Sequence, residues 1–142
     1  MNFTRIHINL QTEHLEMKFV IDKQDKYSLL QLNEENLNSL IAPDLKSEFV
    51  FLCNEGVRNL ILDLSGVKYV DSSGLSAILT ANRLWKDQGI FVLTGIVHPR
   101  VQKLIEISRL ESIFKILPTV EESIDYIFME EIEKELSSDE EE

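Results

Sequence analysis

At the centre of this 142-residue chain, the run Asp71-Ser72-Ser73-Gly74 sets a carboxylate and two hydroxyls side by side. Leu75, Ile78, Leu79, Asn82 and Trp85 follow at helical spacing, so the run stands where a helix begins and the first backbone amides lack partners of their own. Three chemistries suit such a place. An Asp or Ser oxygen can cap the helix by accepting from one of those amides. A serine hydroxyl can also carry a phosphate, which the free amides and the helix dipole favour and which adds about −1.5 to −2 of charge. The third use, as a hydrolase nucleophile, fits poorly. Ser72 lacks a Gly-x-Ser-x-Gly elbow, and His7, His14 and His98 are the only imidazoles that could act as its base. From the pattern alone the helix cap is the commonest use of such residues, and an enzyme is not expected.

The elements that position the run can be read outward from it. Leu60, Ile61, Leu62 and Leu64, nearly in series within residues 57–64, have the pattern of a strand covered on both faces. Upstream, strands at about 17–22 and 27–32 are joined through Asp22-Lys23-Gln24-Asp25-Lys26 as a hairpin. A helix then runs from Leu37 or Asn38 to about Asn54, carrying Leu40, Ile41, Leu45, Phe49 and Leu52, with Pro43 near its start and Gly56 past its end. Downstream, the helix after the run stops at Gly89, and residues 90–93 form a short buried strand. His98-Pro99 opens a helix through Val101, Leu104, Ile105 and Leu110, and residues 113–117 form the last strand. Thr119, with Glu122 three positions on, begins a terminal helix with a capping box. The order ββαβαβαβα predicts an α/β fold, a single domain over residues 17–136 with a mixed, mostly parallel β-sheet and helices packed against it. In such sheets binding gathers beyond the carboxyl ends of the strands, where the serine run falls.

Composition narrows the partners. With 44% hydrophobic and 27% charged residues, the chain is globular and buries about two-thirds of its unfolded surface. A net charge of −11 argues against nucleic acid, whose affinity comes from clustered Lys and Arg. No apolar run approaches the roughly 20 residues of a membrane span, and the first residues lack the apolar stretch of a secretory signal. A cytoplasmic protein without membrane attachment is expected. The charge is uneven: Glu130 to Glu142 holds eight acids and one lysine, a net of −7, which leaves −4 on the other 129 residues. Residues 137–142 read as a disordered acidic tail. No Cys/His metal spacing, Gly-rich phosphate loop or paired carboxylates occur, so neither cofactor nor metal is expected. Cys53, among Phe49, Val50, Phe51 and Leu52, suits a buried thiol. Trp85 suits the core, and His98 suits a helix cap, with contact to a partner or phosphate as its other use. Residues 1–16 are ambiguous, since Ile6, Ile8 and Leu10 alternate like a strand without an evident hairpin partner. Met17, just before Phe19-Val20-Ile21, offers a second start of translation, which would make residues 1–16 an extension or a loosely attached arm.

The stretch Leu60-Ile-Leu-Asp-Leu-Ser-Gly-Val-Lys-Tyr-Val-Asp-Ser-Ser-Gly-Leu-Ser-Ala-Ile-Leu79 resembles the signature of the STAS family, the anti-sigma factor antagonists. The likeness continues through Gly89-Ile-Phe-Val-Leu-Thr-Gly95, His98-Pro-Arg-Val-Gln-Lys-Leu104 and Leu110-Glu-Ser-Ile-Phe114, and covers roughly residues 17 to 130. This resemblance implies a STAS-like fold with Ser72 as phosphoacceptor. It also implies a partner-binding face that takes in Asp71, Ser73, Gly74, Leu75, Asn38 and His98. The implied partner is an anti-sigma factor serine kinase, which binds the ATP, holds the unmodified chain and loses it on phosphorylating Ser72. A serine phosphatase resets the switch. Added charge at a desolvated interface explains the release. One stretch departs from the family pattern: Asn33-Glu34-Glu35-Asn36-Leu37-Asn38 has no glycine and an extra residue. Asn38 stands at the aspartate position, keeping a capping oxygen without the charge. Some family members keep the fold and are never phosphorylated, which supplies the alternative: a constitutive regulatory subunit of another complex, such as a phospholipid-transport ABC system.

Overall fold

The computed structural model describes residues 3–7 and 17–140. Along the chain, β1 (Phe3–His7), β2 (Phe19–Lys23), β3 (Ser28–Leu32) and the two-residue β4 (Asn36–Leu37) precede α1 (Ala42–Asn54). Then β5 (Asn59–Asp63) and the two-residue β6 (Tyr69–Val70) precede α2 (Ser72–Trp85). Finally β7 (Ile90–Thr94) leads to α3 (Pro99–Ile107), and β8 (Lys115–Leu117) leads to α4 (Val120–Glu140). Six strands form the main sheet in the order β1-β2-β3-β5-β7-β8, while β4 and β6 pair separately. The first three strands run antiparallel, with Phe19 opposite both His7 and Leu32, and the others run parallel from β3 onward.

The topology decides where the helices lie. Each crossover from β3 to β5, β7 and β8 adds a strand on the same side of the last. Since crossovers keep one hand, α1, α2 and α3 fall on one face. There Leu30, Leu32, Leu60, Leu62, Phe91 and Leu93 pack with Leu45, Phe49 and Leu52 of α1, Ala77, Ile78 and Trp85 of α2, and Val101 and Ile105 of α3. Burying each such large side chain contributes about 1.5–3 kcal/mol. Trp85 is fully buried, edge-on to Phe49, and its Nε1 donates to the Val57 carbonyl at 3.1 Å. Its place is in the core. The opposite face is left to α4, whose Ile127 packs on Ile61 and Val92. Glu131 anchors it there by accepting from Asn59 Nδ2 at 3.0 Å and pairing with Arg58 at 3.2 Å.

The sheet and its helices are those expected, with four differences of detail. Phe3–His7 adds an edge strand, so a boundary at residue 17 falls between two strands of one sheet; residues 8–16, with His14, lie outside the described residues. The first helix begins at Ala42 and not at Leu37 or Asn38, because Asn36 and Leu37 pair with Tyr69 and Val70 and the chain turns through Asn38–Ile41. Helical backbone continues through Ser137, Ser138 and Asp139 to Glu140, beyond Leu136, as an extension of the preceding residues 130–136, which are rich in the helix formers Glu, Lys and Leu. Cys53 is half-buried against the core and not fully inside it.

Candidate partner-binding site

Chain leaving β3 and chain leaving β5 meet beyond the carboxyl ends of the parallel strands. They pair as the short β4–β6 ladder, Asn36 opposite Tyr69 and Leu37 opposite Val70, and the Asp71 amide donates to the Leu37 carbonyl at 3.1 Å. Asp71 is thereby fixed in extended conformation, φ −97° and ψ −174°, as the N-cap of α2, and its Oδ1 accepts from the Gly74 amide at 2.9 Å. This satisfies one of the orphan amides of the first turn. Gly74 is buried against β4: a Cβ there would lie 2.3 Å from the Leu37 carbonyl oxygen. The tip of α2 can approach β4 this closely only without a side chain.

With the cap supplied by Asp71, Ser72 is the first helical residue and is exposed. Among the described residues its hydroxyl makes no hydrogen bond. Ser72 borders two grooves. The larger, about 630 Å³, runs between α2 and α3; Tyr69, Val70, Leu75, Leu104 and Ile107 give it apolar walls, with Arg100 and Lys103 beside them. Ile107 is 68% exposed, an aliphatic surface facing solvent. The smaller, about 290 Å³, separates the starts of α1 and α2 and is lined by Ser39, Pro43, Lys46, Ser73 and Ser76.

The structure thus brings Asp71, Ser72, Ser73 and Leu75 to one surface and holds Gly74 beneath it. It does not bring Asn38 or His98 there. Asn38 Oδ1 accepts from the Leu40 amide at 3.1 Å, and the residue lines a separate groove with Lys18, Glu34 and Leu40. His98 caps α3, with Nδ1 accepting from the Arg100 amide at 3.3 Å, the local role its place before Pro99 suggested. Sequence reading missed Tyr69, Lys46, Arg100, Lys103 and Ile107. For α3 a signal existed: Arg100, Lys103, Leu104 and Ile107 follow i, i+3, i+4, i+7 spacing, one face of a helix. Among the described residues no group of three His, Cys, Asp or Glu side chains is placed to hold a metal ion, and no helix is long and apolar enough to cross a membrane.

A sequence model of the STAS domain matches residues 18–123. The chain belongs to the STAS domain family. The matched span of this STAS domain starts at β2 and ends in the first turn of α4, so β1 and most of α4 lie outside it. BtrV of Bordetella bronchiseptica, a candidate anti-sigma factor antagonist, is 35% identical over 101 residues, 70% of this chain and 85% of BtrV. An anti-sigma factor antagonist from Mycobacterium paratuberculosis superposes with a TM-score of 0.69 at 21% identity, over 78% of this chain and 93% of its own. The Bacillus cell fate determinant SpoIIAA, solved in its phosphorylated form, superposes at 0.59 and 20% identity, over 77% of this chain and 98% of its own. Both solved proteins share the fold of this STAS domain.

Proposed function

We propose that the protein is a cytoplasmic anti-sigma factor antagonist: it binds an anti-sigma serine kinase while Ser72 is unmodified and leaves it once Ser72 is phosphorylated. The observation that carries this reading is an exposed, unengaged hydroxyl at the first helical position, bordering an apolar groove. The descriptions of BtrV as a candidate antagonist and of SpoIIAA as a phosphorylated protein point the same way. In the modification step, Ser72 Oγ attacks the γ-phosphorus of ATP held by the kinase. The bond to the β,γ-bridging oxygen breaks, ADP leaves, and the hydroxyl proton passes to a base on the kinase. The chain itself contributes the acceptor and no catalytic group.

Release is an electrostatic effect. A docked partner covers the groove and strips water from its edge, so a new charge of about −1.5 to −2 must be desolvated or pushed away. Hydrolysis of the phosphate by a serine phosphatase restores the binding form. The test is incubation with ATP and an anti-sigma serine kinase of the same organism, with phosphate mapped by mass spectrometry. Ser72→Ala should stay bound through ATP addition and Ser72→Asp should bind weakly. Wild-type protein free of phosphate, under conditions that modify a sister antagonist, overturns the proposal.

Asn38 favours a second reading. Its side chain is neutral and tied to the Leu40 amide, which suits a constitutive subunit of another complex, such as a phospholipid-transport ABC system. Recovery of an ABC ATPase in a pull-down, unchanged by Ser72 substitution, would support it over the switch.

A further inference from the structure

The cations bordering the two grooves beside Ser72 come from two different helices. Arg100 and Lys103, one turn apart on α3, border the larger groove, and Lys46 of α1 borders the smaller. In a chain with 25 acids and 14 Lys or Arg residues, these two grooves hold a single carboxylate. That carboxylate, Asp71, already accepts from Gly74. Among the described residues none of the three cations has an ion-pair partner. Arg100 and Lys103 are exposed, so burial does not explain their place beside the apolar walls.

We infer that Arg100 and Lys103 form a phosphate-binding pair that captures phosphorylated Ser72 across the groove, closing the docking surface from within. This rests on the proposed modification of Ser72 and assigns the phosphate its resting place in the released protein. A guanidinium meets a phosphate through two parallel N–H donors, and an ammonium adds a mobile point charge. Arg100 is the second residue of α3 and Ser72 the first of α2, so both helix starts turn their positive ends toward the same space. Once bridged, the phosphate and its cations lie over Leu75, Leu104 and Ile107. An apolar side chain of a partner would have to break charge-assisted contacts to enter. Lys46 attracts the phosphate toward the other groove, Asp71 repels it, and Tyr69 is the remaining titratable group along the larger one.

The full-length protein with phosphoserine incorporated at position 72 through an amber codon tests this without any partner. Phosphorus NMR across pH reads the second phosphate ionisation, ordinarily near about 6. Relative to the R100Q/K103Q double variant carrying the same phosphoserine, the parent's midpoint should lie about one unit lower. Each single variant should return part of that difference, and K46Q should leave the midpoint low. Methyl resonances of Leu104 and Ile107 should shift on phosphorylation in the parent and not in the double variant. A midpoint equally low in the double variant overturns the capture. Partner release by phosphoserine without this shift removes the capture and leaves the switch. A lowered midpoint in a protein that no kinase modifies does the reverse.

Discussion

Gly74→Ala sets two principles against each other at the site itself. In an exposed helix the change would stabilise by about 1 kcal/mol, because alanine is the better helix former. At position 74 the new Cβ would lie 2.3 Å from the Leu37 carbonyl oxygen and 2.7 Å from Leu37 Cγ, where ordinary contact begins at 3.4 Å. The obstacle is backbone held in the β4–β6 ladder, so α2 must retreat by about 1 Å. That movement strains the Asp71 amide bond to Leu37 and the cap on Gly74, each contributing about 1 kcal/mol. Overpacking of this kind costs about 1–3 kcal/mol and partial weakening of the two bonds about 1 kcal/mol more, so against the propensity gain of about 1 kcal/mol a net loss of about 1–3 kcal/mol is expected. With a urea slope of about 2 kcal/mol per molar, the unfolding midpoint should drop by about 0.5–1.5 M. Gly66→Ala is the control: its nearest neighbour would be 3.7 Å away, and its midpoint should barely move. A Gly74→Ala midpoint at or above that of the parent would refute the close-approach argument.

Asn59→Ala should cost about 2–4 kcal/mol in urea unfolding, since the buried amide donates to Lys26 O and Glu131 Oε1 and accepts from the Ile90 amide; a loss below about 1 kcal/mol would contradict that role. Asp71→Ala should lose about 1 kcal/mol of cap energy, whereas Ser72→Ala should leave thermal stability within about 0.5 kcal/mol, both by calorimetry. Tyr27 and Tyr126 hold their phenol protons above the ordinary value of 10.0, mainly through burial, with Asp22 acting on Tyr27 and Glu130 and Glu133 on Tyr126. The folded state thus binds these protons more tightly than the unfolded one. Their contribution is complete below pH 10.0 and is lost as pH rises through the folded values. Ultraviolet titration of tyrosinate should show both ionising above the unfolded chain, and coincident curves would contradict the burial argument.

What the sequence made legible was what periodicity and punctuation encode. Leu60 to Leu64 read as a strand covered on both faces because α1 and α2 cover one side and α4 the other. Asp71 read as a cap because an acid before a helical stripe has few other uses. Pairing between distant short segments escaped. Asn36–Leu37 and Tyr69–Val70 are two residues each, too short for any pattern, yet their ladder moves the start of α1 by about a turn and seats Asp71. The same limit hid Arg100, Lys103 and Ile107: their spacing marks a helix face, but only the packed fold shows that this face meets Ser72. Asn38 was drawn toward the site by the family resemblance, as the residue at the aspartate position, and His98 by its place at a helix entrance; each is occupied locally by an amide two residues on.

The division of labour between Asp71 and Ser72 explains how the hydroxyl proposed as phosphoacceptor can sit at a helix start without endangering the helix. A serine used as N-cap would hold the third amide through its own oxygen, and any modification would weaken that bond. Here the carboxylate of Asp71 takes the amide, and the hydroxyl one residue later is exposed and uncommitted. Gly74 then lets the helix tip press against β4, so the turn is rigid although its outer edge is free. On the proposed modification of Ser72, charge is added to that edge and removed again without breaking the Asp71 cap.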